Sequence, residues 1–322
     1  MIIIKDKNKN SDISIIKSST IAVINGNLNF SKIGYSAEDT SNAYDVLNDA
    51  IQYAEVVKKT YTDSKTYQSD AKLIYFPVVD TNNRTSCANM FKNCGSLQYV
   101  PPLTISNKCT SLNSMFYGCN LLTSIDVSNF DTSNVTNMAF MFNSCKLITT
   151  LDLSNWDISN VTDISSMFSS CSKLTAIDLS NWNTNNVTNM ASMFRYCELI
   201  TALDLSNWNT INVTNMAYMF NSCELITVLD LSNWDVSNVT SMSSMFSSCT
   251  SLTNFQAPQN INVNIAFNGC NNLTIDSLLS ILNNLTDRTA TTTLTCTLGT
   301  INLNKLTDEQ KAIATAKNWV LK

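Results

Sequence analysis

Over much of the chain the apolar positions return on a fixed beat of 26 residues. Leu151 and Leu153 alternate with Thr150, Asp152 and Ser154, the period of a half-buried strand. Further on, Val161, Ile164, Met167, Phe168, Cys171 and Leu174 recur at steps of three and one. That spacing predicts a helical or 3₁₀-like turn with one apolar face. A strand, a turn and a short helix are therefore expected per unit, and none of these pieces can bury its apolar side alone. Stacking the next copy on top does so, which is the logic of a solenoid.

The pair Met-Phe followed three residues later by Cys marks the units. It stands at Met90, Met115, Met141, Met167, Met193, Met219 and Met245, and in altered form at Ala266, which makes eight units with the last shortened by five residues. The flanks have a different texture. "MIIIK" and "ISIIKSSTIAVI" predict strands, and residues 36–61 predict a helix with Ser36 as N-cap. Its stripe of Ala43, Leu47, Ala50, Ala54 and Val57 is either a seam for self-association or a face packed on the first unit. After Leu273, "IDSLLSILNNL" predicts a helix, "TTTLTCTLG" a strand, and "TDEQKAIATAKNW" a helix opened by a Thr307–Gln310 capping box. The expected organisation is an α/β repeat solenoid. Residues 1–70 form an attachment or oligomerisation module, 71–273 the repeats and 274–322 a C-terminal cap.

Composition narrows the chemistry. The 322 residues contain no histidine, and the six glycines form no phosphate-binding loop, so imidazole bases, catalytic triads and nucleotide motifs are absent. Carboxylate pairs remain, but repeated acids sit in equivalent environments, whereas acid–base catalysis needs two unlike ones. A non-enzymatic protein without cofactor or metal is expected. The repeats carry eleven acids between Asn120 and Ala257 against Lys146, Lys173 and Arg195, which disfavours nucleic acid. No apolar stretch approaches a membrane span, and the first residues do not form a secretion signal as they stand. Most of the eleven cysteines occupy one position in successive units; on a helical outer side, spaced at about 10 Å, they are expected to stay reduced and buried.

Three columns invite a ligand. Asp126, Asp152, Asp178, Asp204 and Asp230 point outward from successive strands, flanked by Ser128, Ser154, Ser180, Ser206 and Ser232. At about 4.8 Å between strands, like charges cost on the order of 1 kcal/mol per neighbouring pair in water, so something must relieve them. Hydrogen bonds to Ser, Thr or backbone groups in the next turn are one answer. A concave acidic, hydroxyl-rich strip meeting cationic or sugar ligands is the other. The column Phe130, Trp156, Trp182, Trp208 and Trp234 reads as an internal ladder more naturally than as a sugar-stacking platform. Asn134, Asn160, Asn186, Asn212 and Asn238 match glycosylation acceptors but read more naturally as caps and an asparagine ladder.

The strand motif L-x-L-S-N followed by S-N-V-T-N-M-x-x-M-F-x-x-C-x-x-L resembles the BspA-like leucine-rich-repeat family, in the 26-residue form seen in surface proteins of mycoplasmas, gut bacteria and their phages. "AFNGCNNL" at Ala266 to Leu273 is similar to the shorter repeat of that family. The resemblance covers residues 71–273 and implies a non-enzymatic adhesion or recognition protein. With the N-terminal module, it points to a gut-phage virion appendage, a head or tail fibre component on the virion surface. Its partners would be a cell-surface glycan or protein, and virion proteins or further copies through residues 1–70. A bacterial surface or secreted adhesin binding host proteins, and a purely structural decoration protein, are the alternatives.

Overall fold

The computed structural model describes residues 2–5, 11–15, 22–26, 68–69, 81, 83–100 and 103–322. The expected helix over 36–61 and its stripe lie outside the described residues. Near the N-terminus, β1 (Ile2–Lys5), β2 (Ser11–Ile15) and β3 (Ala22–Gly26) pair antiparallel in that order, with Ile3 opposite Ser14 and Ile13 opposite Ile24.

Through the repeats every pairing is parallel and keeps nearly the same separation. β4 (Thr150–Leu151) pairs with β5 (Ala176–Ile177), and β6 (Val228–Asp230) with β7 (Asn254–Gln256). Single bridges link Asn137, Asp163, Asn189, Asn215 and Ser241 in series, each 26 residues from the last. A one-residue slip would turn every buried Leu outward, so the inward positions Leu153, Leu179, Leu205 and Leu231 fix the register.

The stretch predicted as helical is a ribbon of turns. Met138, Phe140, Phe142 and Ser144 send their N–H groups to Asp163, Ser165, Met167 and Ser169 of the following unit at 2.8–2.9 Å. The alternating N–H groups close local turns instead: Met141 to Met138, Asn143 to Phe140 and Cys145 to Phe142, at 3.0–3.2 Å. Two residues per unit take left-handed φ, as Phe140 (60°) and Ser144 (62°), Ser192 (57°) and Tyr196 (60°) show. An α-helix tolerates neither left-handed residues nor carbonyls turned toward a neighbour. The period of three is nevertheless real, because the turns close at the apolar residues: Val161 on Ile158, Met167 on Ile164, Cys171 on Phe168 and Leu174 on Cys171.

Turns bring the units closer than helices would. Phe91, Phe116, Phe142, Phe168, Phe194, Phe220, Phe246 and Phe267 stack in one column with ring centroids 5.0–6.0 Å apart. The 10 Å spacing expected for a helical outer side is thus corrected to a strand-like one. All eleven cysteines are free and buried. From Cys119 to Cys270 each thiol of the main column donates to a phenylalanine carbonyl of the preceding unit, as from Cys171 to Phe142 at 3.2 Å and from Cys223 to Phe194 at 3.1 Å. Burial pushes Cys171 and Cys223 up to about 12, so they remain protonated donors.

The far end is closed by other means. β8 (Ile265–Ala266), β9 (Leu294–Thr297) and β10 (Trp319–Leu321) form a parallel sheet in the order β10-β9-β8. α1 (Ile275–Asn284) buries Leu278, Ile281 and Leu282, and Thr274 caps it by accepting from the Ser277 N–H. Ser277 and Ser280, three apart on α1, accept the Phe255 and Ala257 N–H groups at 2.8 and 2.9 Å. Donors that earlier units direct to the next strand therefore end on hydroxyls. α2 (Thr300–Leu303) and β10 were not foreseen, whereas α3 (Asp308–Thr315) opens with the Thr307–Gln310 capping box. Lys317 Nζ reaches the carbonyls of Leu282, Asn283 and Leu285, at the C-terminus of α1, at 2.7–3.2 Å. Among the described residues no helix is long and apolar enough to cross a membrane.

Leu179→Ala should lower stability by about 2–5 kcal/mol and Phe194→Ala by about 3–5 kcal/mol, as core truncations do. Urea denaturation checks both. An unchanged midpoint for Leu179→Ala would reverse the inward and outward assignment of the strands.

Candidate binding surface

The five aspartates are exposed, and each is satisfied inside its own turn. The N–H groups of Ser128, Ser154, Ser180, Ser206 and Ser232 donate to Oδ1 of Asp126, Asp152, Asp178, Asp204 and Asp230 at 2.9–3.1 Å. In the first four pairs the serine hydroxyl adds a second bond at 2.6–2.7 Å. Relief of the charge ladder thus comes two residues along the same chain, not from the next turn. Serine hydroxyl and N–H groups hold the carboxyls of Asp126, Asp152 and Asp204 below their ordinary value, and the Ser180 N–H and hydroxyl do so for Asp178. Neighbouring aspartates oppose this for Asp126, Asp152 and Asp204 but are outweighed.

The aromatic column is internal. Phe130, Trp156, Trp182, Trp208 and Trp234 are buried, with Trp182, Trp208 and Trp234 stacked at 6.0–6.1 Å. The indole N–H groups of Trp156, Trp208 and Trp234 donate to the carbonyls of Val127, Leu179 and Leu205 at 3.2 Å. The buried Trp182 N–H has no such partner, and nothing in the structure explains the difference. A sugar cannot stack on these rings. Asn134, Asn160, Asn186, Asn212 and Asn238 form a ladder, each Nδ2 donating to a carbonyl 27 residues earlier at 2.6–2.9 Å. No helix follows them, so they are not caps.

The acidic column ends at a groove. Gln256 pairs with Asp230 in the β6–β7 register and takes over its position. Together with Ser232, Gln259 and Asn260, and with Asn283 and Asn284 at the end of α1, it lines a groove of about 420 Å³. Apart from the apolar Ala257 and Leu285, its lining is amide and hydroxyl, with no ionisable side chain. Such groups both donate and accept hydrogen bonds.

A family profile described as "Mycoplasma protein of unknown function, DUF285" matches residues 85–198 and again residues 172–278. The chain belongs to that family. No curated protein matches it. The two overlapping DUF285 matches fall on the parallel-paired units and end within α1.

Within the DUF285 segment, one left-handed position differs between units: it is an exposed aromatic at Phe140 and Tyr218 and a serine at Ser166, Ser192 and Ser244. There Arg195 lies over the Tyr196 and Tyr218 rings, 4.7 and 5.0 Å from their centroids. Sequence inspection missed this cluster and the groove. The groove's residues carry no signal, since unit eight and α1 meet only in the folded chain. The cluster had one signal: aromatic residues at positions that other units fill with serine.

Folded-state depression of the four aspartates makes stability rise with pH, because the unfolded chain binds more protons. Their contribution is full above the ordinary value of 3.8 and is lost as pH falls through the lower folded values. Thermal melts between about pH 5 and about pH 2.5 should show the loss. The combined substitution Asp152→Asn, Asp178→Asn and Asp204→Asn should flatten it; an equally steep slope would place the acid sensitivity elsewhere.

Proposed function

We propose that the chain is a non-enzymatic recognition protein built as a BspA-like, leucine-rich-repeat solenoid that binds hydroxyl-rich glycans of a cell envelope. The observation that carries this reading is the exposed Asp–Ser strip, repeated at a fixed 26-residue interval and continuous with the neutral amide groove. Each aspartate is held rigid by its own serine, yet a second carboxylate oxygen remains to accept from a sugar hydroxyl. Rigid, pre-satisfied acceptors lose little conformational freedom on binding. In this reading residues 1–70 attach the solenoid to a virion, residues 274–322 close it, and the protein is a phage fibre component at the virion surface.

A second reading, a bacterial adhesin that binds a host protein, is favoured by the Arg195–Tyr196–Tyr218 cluster, in which both tyrosines are exposed. Arginine and tyrosine are enriched at energetic centres of protein interfaces. The two readings separate by mutation. Glycan binding, measured on immobilised envelope polysaccharide, should weaken at least about tenfold on combining Asp178→Asn, Gln256→Ala and Asn283→Ala, and persist in Arg195→Ala with Tyr218→Ala. The opposite pattern on host-cell protein would select the adhesin, and retention of every activity by both variants would sink both surfaces. Light scattering adds a second test: a trimer or larger assembly of the full chain supports the fibre, and a monomer supports a freestanding adhesin.

A further inference from the structure

The first two units break the repeat inside the core. One buried column holds Val135, Val161, Val187, Val213 and Val239, but its first two members are Arg84 and Cys109. The neighbouring column holds Leu112, Met138, Ile164, Met190, Met216 and Met242, and begins with Cys87. Neither cysteine belongs to the column of thiols bonded to phenylalanine carbonyls. Instead, both converge on Ser111: the Cys87 N–H donates to its carbonyl at 3.0 Å, and Cys109 Sγ lies 3.4 Å from the same oxygen. The two thiols are thus neighbours, with the Arg84 charge beside both.

We propose that Cys87 and Cys109 are a dithiol site that a peroxide converts to an intramolecular disulfide, stapling the first unit to the second. The Cys87 side chain holds Cys109 below the ordinary thiol value, with Arg84 acting the same way against the effect of burial, so Cys109 supplies the attacking thiolate. The Cys109 side chain and burial raise Cys87, the resolving thiol. The Cys109 thiolate sulfur attacks one oxygen of hydrogen peroxide, the O–O bond breaks, and the departing hydroxide takes up the proton that Cys109 gave up on ionising and leaves as water, so that Cys109 becomes a sulfenic acid. Cys87 sulfur then attacks Cys109 sulfur, the S–OH bond breaks, and the leaving hydroxide takes the Cys87 proton. Two thiols and one peroxide become one disulfide and two waters. Both thiols are buried, but peroxide is scarcely larger than water and enters through local opening.

Cys249 and Cys270 supply the comparison, since they are also neighbouring thiols, but their S–H groups donate to the Phe220 and Phe246 carbonyls, Cys249 is raised and no cation acts on it. The test is to treat the native full chain with hydrogen peroxide, unfold it, alkylate the remaining thiols and map the peptides. The expected product is about 2 Da lighter before alkylation, carries a Cys87–Cys109 cross-link and alkylates at the other nine cysteines. It should also melt several degrees higher than the reduced chain. In Cys87→Ser, Cys109 should accumulate sulfenic acid that dimedone traps. Recovery of both residues as thiols in oxidised wild-type protein, or earlier cross-linking of Cys249 to Cys270, would overturn the proposal; the wild-type map decides even where the variant fails to fold.

Discussion

The structure depends on backbone hydrogen bonds that alternate between two directions. In the turn ribbon one N–H closes a local turn and the next reaches across to the following unit, from Phe140 to Ser165 or from Ser192 to Ala217. Neither set suffices alone. Local turns would leave half the donors unpaired in a buried setting, and cross-unit bonds alone would leave the chain extended. Left-handed φ at two residues per unit is the conformational cost of aiming carbonyls outward. It falls on serine, asparagine, glycine and tyrosine as well as on Phe140. The phenylalanine and tryptophan columns fill the space this frame encloses, and the thiol bonds give the same phenylalanine carbonyls a second donor.

Much of this was visible in the residues, and the errors have physical causes. Alternation around Leu151 and Leu153 identified the inward side of the strand, and the 26-residue return of Met-Phe set the register of the stack. Thr307 and Gln310 announced α3 because a capping box is a local interaction, complete within four residues. The helix was misassigned because turns that close every three residues place apolar side chains at the same steps as a 3₁₀ helix. What distinguishes the two is the sign of φ at Ser166 or Tyr196, which side-chain polarity does not encode. The spacing of the cysteines followed from that error. The proposed acid–serine strip was legible as a repeated pair, but the partner of each carboxylate was not, because Asp-x-Ser permits bonding along the chain or across units.

On such a frame regular strips and departures from regularity do different things. Identical units present identical groups, so a sugar-binding strip would gain reach more than selectivity. Selectivity needs positions where one unit differs from the next, such as Gln256 in place of an aspartate, the Arg195–Tyr218 cluster, or the Arg84, Cys87 and Cys109 substitutions in the core. The first two lie on the surface and leave the bonded frame unchanged. The third replaces packing groups, and its polar contacts occupy space that valine and methionine fill elsewhere.

The parallel register has a genetic corollary. Each interior unit offers one row of donors and one row of acceptors to neighbours that are nearly its copies, so duplicating or deleting a whole unit leaves every remaining junction as it was. Adding or removing one whole unit changes the length of the stack by about 5 Å. A shift of any other size would scramble the columns. The lineage can therefore change how far the protein extends in discrete steps, while the chemistry at its two ends is inherited intact.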